Sequence, residues 1–265
     1  MDKRLLYAAY RLSTMHAGPD GSSKEVHGTC FFVKSDALLF AVTNRHNLDL
    51  TYKDQKFVGY KPEAFKISGY ADNKHYYETT PTGGVRFVFA TNLAEDVAVL
   101  DLTDGNMQYG RRRKPGETPG TKIGPPSLHS SAIDMLANDE DLQRMAVGAQ
   151  IWMPSYSLHY DKGTERPVMR TGVVSSDPDS DYQTEGDEPA RRVLIQVQSA
   201  PGASGAPVFA QLDSEAVLLG VNAGQLLTGG MPSGFSYCFK AQCIRDCIEH
   251  LTLLRAQDLP KQQAP

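Results

Sequence analysis

Apolar and polar positions alternate in short runs along most of the chain. LLYAAYRLS, VHGTCFFVK, ALLFAVTN, KFVGY, AFKISGYA, GVRFVFA and DVAVLDL fill the first hundred residues, between turn-forming Gly, Pro, Asn, Asp and Ser. This spacing predicts antiparallel strands of a sandwich or barrel rather than strands joined by crossover helices. A poorly periodic stretch follows from about Thr103 to Ser130, with the basic run Arg111-Arg112-Arg113-Lys114 ahead of Pro115-Gly116, and then Gly124-Pro125-Pro126. It reads as a surface linker whose basic run is solvated and open to proteolytic nicking. Within 130–145, Ile133, Leu136 and Ala137 share a helical face behind a Ser, which predicts a short helix that ends or breaks before Leu142. Strands resume with QIWMPSYS, VMRTGVVSS, RRVLIQVQS, APVFAQ, AVLLGVNAG and FSYCFKA. The chain then turns amphipathic: Ile244, Cys247, Ile248, Leu251 and Leu254 recur every three or four residues, a helix whose stripe packs on the second half, with a frayed tail from Gln257. The pattern is all-β with two strand sets: a first barrel over 1–103, linker and helix over 104–145, a second barrel over 146–242, and helix and tail over 243–265.

At 265 residues, 40% of them apolar, the chain suffices for one large domain or two ordinary ones, each with a core. Lys and Arg number 27 against 31 Asp and Glu, a net charge of −4, which gives no electrostatic basis for nucleic acid or acidic lipid as a partner. The N-terminal apolar run is broken by Arg11 and has no cleavage pattern, and no 18 apolar residues are consecutive, so the expectation is a soluble, cytoplasmic protein away from the membrane. Cys30, Cys238, Cys243 and Cys247 form no Cys-x-x-Cys pair; Cys243 and Cys247 share a helix face but lack two further ligands for a metal. Reduced thiols are expected.

Three local signals bear on chemistry. Ala41-Val42-Thr43-Asn44-Arg45-His46 is a strand that delivers a histidine where it gives way to a turn, a place for a general base or for a merely solvated imidazole. In Glu95-Asp96-Val97-Ala98-Val99-Leu100, Asp96 precedes a buried-looking strand, where a carboxylate can orient a histidine or cap its own turn; Glu95 should point the other way by alternation. Ala200-Pro201-Gly202-Ala203-Ser204-Gly205-Ala206-Pro207 sets a serine between glycines, a turn tight enough to present backbone amides to an oxyanion; Gly202 and Ser204 supply the candidate donors.

Taken together these segments resemble the chymotrypsin-like serine peptidases, in their HtrA-type and trypsin-like peptidase-domain branch. Thr43-Asn44-Arg45-His46 is similar to that branch's histidine signature, Asp96-Val97-Ala98-Val99-Leu100 to its aspartate strand, and Gly202-Ala203-Ser204-Gly205-Ala206-Pro207 to its nucleophile loop, in the same order. Gly28-Thr29-Cys30-Phe31-Phe32, Arg170-Thr171-Gly172-Val173-Val174-Ser175 and Leu219-Gly220-Val221-Asn222-Ala223-Gly224 extend the likeness over about 23–255. The resemblance implies two packed six-stranded antiparallel barrels with a cleft between them. It further implies His46, Asp96 and Ser204 as a triad, the amides of Gly202 and Ser204 as the oxyanion hole, and no cofactor or metal.

The departures carry information too. Asn47 follows His46 where secreted relatives place a disulfide cysteine, and Ala203 precedes Ser204 where they carry the aspartate that ties down a trimmed N-terminus. N-terminal activation is therefore not expected, and neither is the PDZ domain that HtrA enzymes carry after the peptidase domain. By resemblance, substrate adds to the edge at Asn222, Ala223 and Gly224, with Gly224 leaving the pocket mouth open. Gln198 stands where cleavage after Arg or Lys needs a carboxylate, and Val221 where glutamate-specific relatives have a histidine; Tyr237 or Lys240 on the closing strand could alter either inference. A neutral P1 residue is the expectation. The acidic segment 175–188, with Asp177, Asp179, Asp181, Glu185, Asp187 and Glu188, lacks EF-hand spacing and reads as a solvated hairpin loop; by resemblance it is a candidate regulatory loop. The reading is an intracellular serine endopeptidase acting on a limited set of protein or peptide substrates, restrained by a regulatory protein or by loop ordering. The competing reading is a non-catalytic module that binds a peptide or protein in the same cleft.

Overall fold

The computed structural model describes residues 3–71, 76–81, 84–103, 107–111 and 129–258. The basic positions 112–114, the Gly-Pro stretch behind them and the tail beyond 258 lie outside the described residues.

The first half forms strands β1 (Ala9–Ala17), β2 (Ser23–Ser35), β3 (Leu38–Thr43), β4 (Lys61–Tyr70), β5 (Tyr76–Pro81), β6 (Arg86–Phe89), β7 (Ala98–Asp101), β8 (Met107–Arg111) and β9 (Ser130–Ala132). They hydrogen bond in the order β6-β7-β3-β2-β1-β4-β5-β8, with β9 running parallel to β2, a nine-stranded sheet. It gains β8 from the stretch read as linker, where it pairs with β5, and β9 from the start of the segment read as a helix, where it pairs with β2. The second half is a closed barrel of β10 (Gln150–Ser155), β11 (Val168–Val174), β12 (Arg192–Gln196), β13 (Pro207–Leu212), β14 (Glu215–Thr228) and β15 (Met231–Lys240), ordered β10-β11-β12-β15-β14-β13.

Two expectations need correction. The run KFVGY is not a strand: 45–60 winds into three short 3-10 turns, because the carboxylates of Asp49 and Asp54 accept from Thr51 N and Lys56 N and cap two of them. The linker helix starts later than its apolar pattern suggests. It is α1 (Asp139–Arg144), opened by a capping box between Asn138 and Asp141, and Leu142 lies buried within it rather than beyond its end.

Helix α2 (Ala241–Asp258) lays its stripe inward as the periodicity predicts: Cys243, Ile244, Cys247, Ile248 and Leu251 are buried. They join one core with Val88, Val97 and Val99 of the first sheet and Ile151, Phe209 and Phe239 of the barrel. That shared core fixes the two halves against each other, so residues from both can meet at one site with defined geometry. All four cysteines are buried free thiols, Cys238, Cys243 and Cys247 in this core and Cys30 in a separate cluster of the first sheet, and burial pushes Cys238 and Cys247 up to about 12, which makes them packing groups rather than nucleophiles.

Candidate active site

Strand β3 ends at Thr43, and the chain enters a 3-10 turn at Arg45–Asn47 that turns His46 toward Asp96. Asp96 lies just before β7, the neighbour of β3 in the sheet, so sheet pairing brings histidine and carboxylate together. His46 Nδ1–H donates to Asp96 Oδ2 at 2.6 Å, and His46 N–H donates to Asp96 Oδ1 at 2.9 Å. The second bond fixes the carboxylate's rotation, and the first leaves Nε2 as the basic nitrogen. Asn44 donates through Nδ2 to the Asp96 carbonyl at 2.7 Å, which explains a buried Asn immediately before the turn. Burial disfavours the Asp96 charge, but the hydrogen bond and charge of His46, with Lys53 beside it, hold the carboxyl below its usual range.

Ser204 comes from the loop between β12 and β13. Ala203 N–H donates to Ala200 O at 2.9 Å across a turn with Pro201 second and Gly202, at φ +87°, third. This is a type II turn, whose central peptide is flipped relative to type I. Among the described residues neither Gly202 N–H nor Ser204 N–H has an intramolecular acceptor, so two half-exposed donors stand open beside the serine. The Ser204 hydroxyl likewise has no hydrogen-bond partner among the described residues; sites without substrate commonly leave the nucleophile–base bond long.

Thr29 on β2 joins the two halves here. Its N–H donates to Ser204 O at 2.8 Å, and its hydroxyl donates to Gly202 O at 2.7 Å and accepts from Tyr156 N–H at 3.0 Å. Thr43, three residues before His46, donates to Thr29 O at 2.8 Å, so the serine loop is tied to the strand end that delivers the histidine. Sequence reasoning quoted Thr29 only as part of a motif; its bridging role has no local signature, because its partners lie far along the chain.

The expected substrate-edge residues separate. Asn222 is a correction: its N–H and C=O are taken by Ala206 O and Gly205 N, both at 2.9 Å, and its amide donates to Ser199 Oγ and Ala203 O. Fully buried, it braces the serine loop and offers nothing to a substrate strand. Ala223 and Gly224 follow it where β14 has left β13 and keeps only β15 as neighbour, and the Tyr237 ring stands beside Gly224. Gln198 is exposed, whereas its neighbour Ser199 is buried: its N–H donates to Ser236 Oγ at 3.2 Å and its hydroxyl accepts from Asn222 Nδ2 at 3.1 Å. Lys240 does not face substrate: its ammonium pairs with Asp181 at 2.7 Å, while Arg192 pairs with Asp187 at 2.7 Å. The acidic segment is thus clasped by two largely buried cations on β12 and β15 rather than freely solvated.

Glu95 points away from Asp96, as alternation predicts, and is 1% exposed. Arg191 donates to it through Nε, a terminal nitrogen and its backbone N–H, at 2.8, 2.7 and 3.2 Å, and also bonds Asp246 of α2 at 2.7 Å. Burial opposes the Glu95 charge, and Arg191 overcomes it and holds the carboxyl below its usual range. Arg191→Met should therefore cost about 3 kcal/mol near neutral pH, since it strands a buried carboxylate. The sign with pH follows: the wild-type contribution is complete above the unfolded Glu value and fades as pH falls through the lowered folded value. Urea unfolding at pH 7 and pH 4 should show a gap between wild type and variant that narrows in acid; an equal gap at both would refute the ion-pair account.

No cluster of three His, Cys, Asp or Glu able to hold a metal occurs among the described residues, and no helix among them is long and apolar enough to cross a membrane. No curated protein matches the chain by sequence. Among solved structures it is similar to an HtrA-type protease, AlgW, determined with a tripeptide, at a TM-score of 0.55 and 15% identity over 94% of this chain. The chain spans 61% of that protein's length, and at such identity the likeness concerns the fold. The family model of the trypsin-like peptidase domain matches residues 28–221, a span that holds the histidine turn, the aspartate strand and the serine loop, and the chain belongs to that family.

Proposed function

We propose that the protein is a serine endopeptidase whose triad is His46, Asp96 and Ser204, acting inside the cell on a limited set of proteins or peptides. The observation that carries this reading is the pair of open amides, Gly202 and Ser204, beside a serine held against the end of the strand that presents an Asp-oriented histidine. In the reaction, His46 Nε2 takes the Ser204 proton as Oγ attacks the peptide carbonyl, and the two amides receive the oxyanion. His46 then hands its proton to the leaving amine, and water repeats the sequence to free the acyl group. Asp96 stays ionised throughout and stabilises the imidazolium. The residues required are all in the chain, and the scheme calls for no cofactor.

Restraint fits a loop clasped by Lys240 and Arg192, which a regulatory protein could order or release. The absence of a carboxylate at Gln198 supports a neutral P1 residue. A peptide library should show cleavage after neutral side chains; dominant cutting after Arg, Lys or Asp would overturn this. The peptidase reading itself is tested by fluorophosphonate labelling against Ser204→Ala. The alternative, a module that binds a peptide without turnover, is favoured if neither protein labels while a peptide binds.

A further inference from the structure

Lys53 follows the 3-10 turn Leu50–Tyr52, seven positions beyond His46, and its ammonium lies 3.3 Å from Asp96 Oδ2. That oxygen is the one that accepts from His46 Nδ1. The two partners differ in setting, since the Asp96 side chain is 2% exposed and the Lys53 side chain 51%. An ordinary surface pair between mobile side chains is worth little, but here one partner is a fixed, buried carboxylate with, among the described residues, one other side-chain donor.

The surrounding charges leave Lys53 as the cation that acts on this carboxylate. Arg45 packs on the rings of Tyr52 and Phe89 and is engaged by Asp49 at 2.9 Å. Glu95 is turned away onto Arg191. Across the cleft, Arg192 is held by Asp187 and lies over Tyr237. Tyr52, next to Lys53, is pushed up to about 12 by burial and by Asp96 and stays neutral. His46 and Lys53 are the two groups that share Oδ2.

We propose that Lys53 is a positioning residue of the triad, tuning His46 through Asp96 by sharing the oxygen that His46 uses. A cation there offsets part of the carboxylate's negative charge, so the imidazolium is less stabilised than it would be beside Asp96 alone. Removing that cation strengthens the hold of Asp96 on the imidazolium, which is the difference a variant without it would show. The inference rests on the peptidase reading above for its role in turnover, although the electrostatic effect on the imidazole does not.

The test compares wild type, Lys53→Met and Lys53→Arg as full-length chains. In Lys53→Met the acid limb of the pH profile of kcat/KM, and of fluorophosphonate labelling, should move upward by about 0.3–0.8 pH unit at low salt, and by less at high salt. Lys53→Arg keeps the charge and should stay with the wild type. An NMR titration of the His46 ring in each protein reads the same shift without turnover, and thermal unfolding checks that the half-exposed site still folds. Coincident NMR titrations of wild type and Lys53→Met would overturn the proposal, as would Lys53→Arg following Lys53→Met. If the NMR shift is seen while the wild type neither labels nor cleaves, the Lys53 inference stands and the peptidase reading fails.

Discussion

Ser204→Ala will abolish labelling by a fluorophosphonate and lower peptide hydrolysis by about 10⁴–10⁶-fold, to the level that binding and oxyanion contacts alone provide. The size of the effect follows from the geometry. His46 is oriented by two bonds to one carboxylate, so its free nitrogen has one job, and an alanine leaves it no proton to take. Asp96→Asn should reduce hydrolysis by about 10⁴-fold, because an amide that donates toward Nδ1 favours the wrong imidazole tautomer. Thermal unfolding of each variant separates these losses from misfolding. Labelling that persists in Ser204→Ala would place the nucleophile elsewhere. No labelling in either protein, with a peptide still bound, would instead support the binding module.

Much of this site was legible because its three segments are local. Each is a run of six to eight residues whose order and side chains already describe a strand end, a carboxylate before a strand, and a glycine-flanked turn. The orientation of Glu95 was legible too, since alternation along a strand needs no tertiary information. What escaped depended on distant partners or on register. Asn222 was placed on the substrate edge by resemblance, but its N–H and C=O pair with Ala206 and Gly205, and β14 shifts register against β15 only between Asn222 and Gly224. A bulge of that kind moves every later residue relative to its neighbours and leaves no reliable mark in sequence. Lys53 escaped for another reason. Nothing in its local sequence directs it toward Asp96; the 3-10 turns at Arg45–Asn47 and Leu50–Tyr52, the second capped by the Asp49 carboxylate, bring the chain back over the site. Likewise Lys240 and Arg192, on different strands, meet one acidic segment only once the barrel closes.

Gly205→Ala should be strongly damaging although it removes no functional group. Gly205 sits at φ +85°, and a Cβ there would stand 2.1 Å from Thr29 O and 2.4 Å from Thr43 Oγ1, well inside contact. Thr29 cannot yield freely: its carbonyl accepts from Thr43, its N–H holds the Ser204 carbonyl, and its hydroxyl holds Gly202. The loop must therefore lift away, which breaks the bonds that set both the serine and the open amides. We expect a loss of about 2–4 kcal/mol from strain and overpacking, and at least a 10²-fold fall in kcat/KM in the protein that remains folded. Gly224→Ala is the matched control, because its Cβ would meet only the Tyr237 ring at 3.5–3.7 Å, an ordinary contact. It should leave stability within about 0.5 kcal/mol and act on KM for substrates with bulky P1 or P3 residues. Active-site titration with a fluorophosphonate, alongside urea unfolding, distinguishes the two. Should Gly205→Ala label at the wild-type rate, the contact between the serine loop and Thr29 would not be what aligns the nucleophile, and the bracing assigned to Thr29 would have to be abandoned.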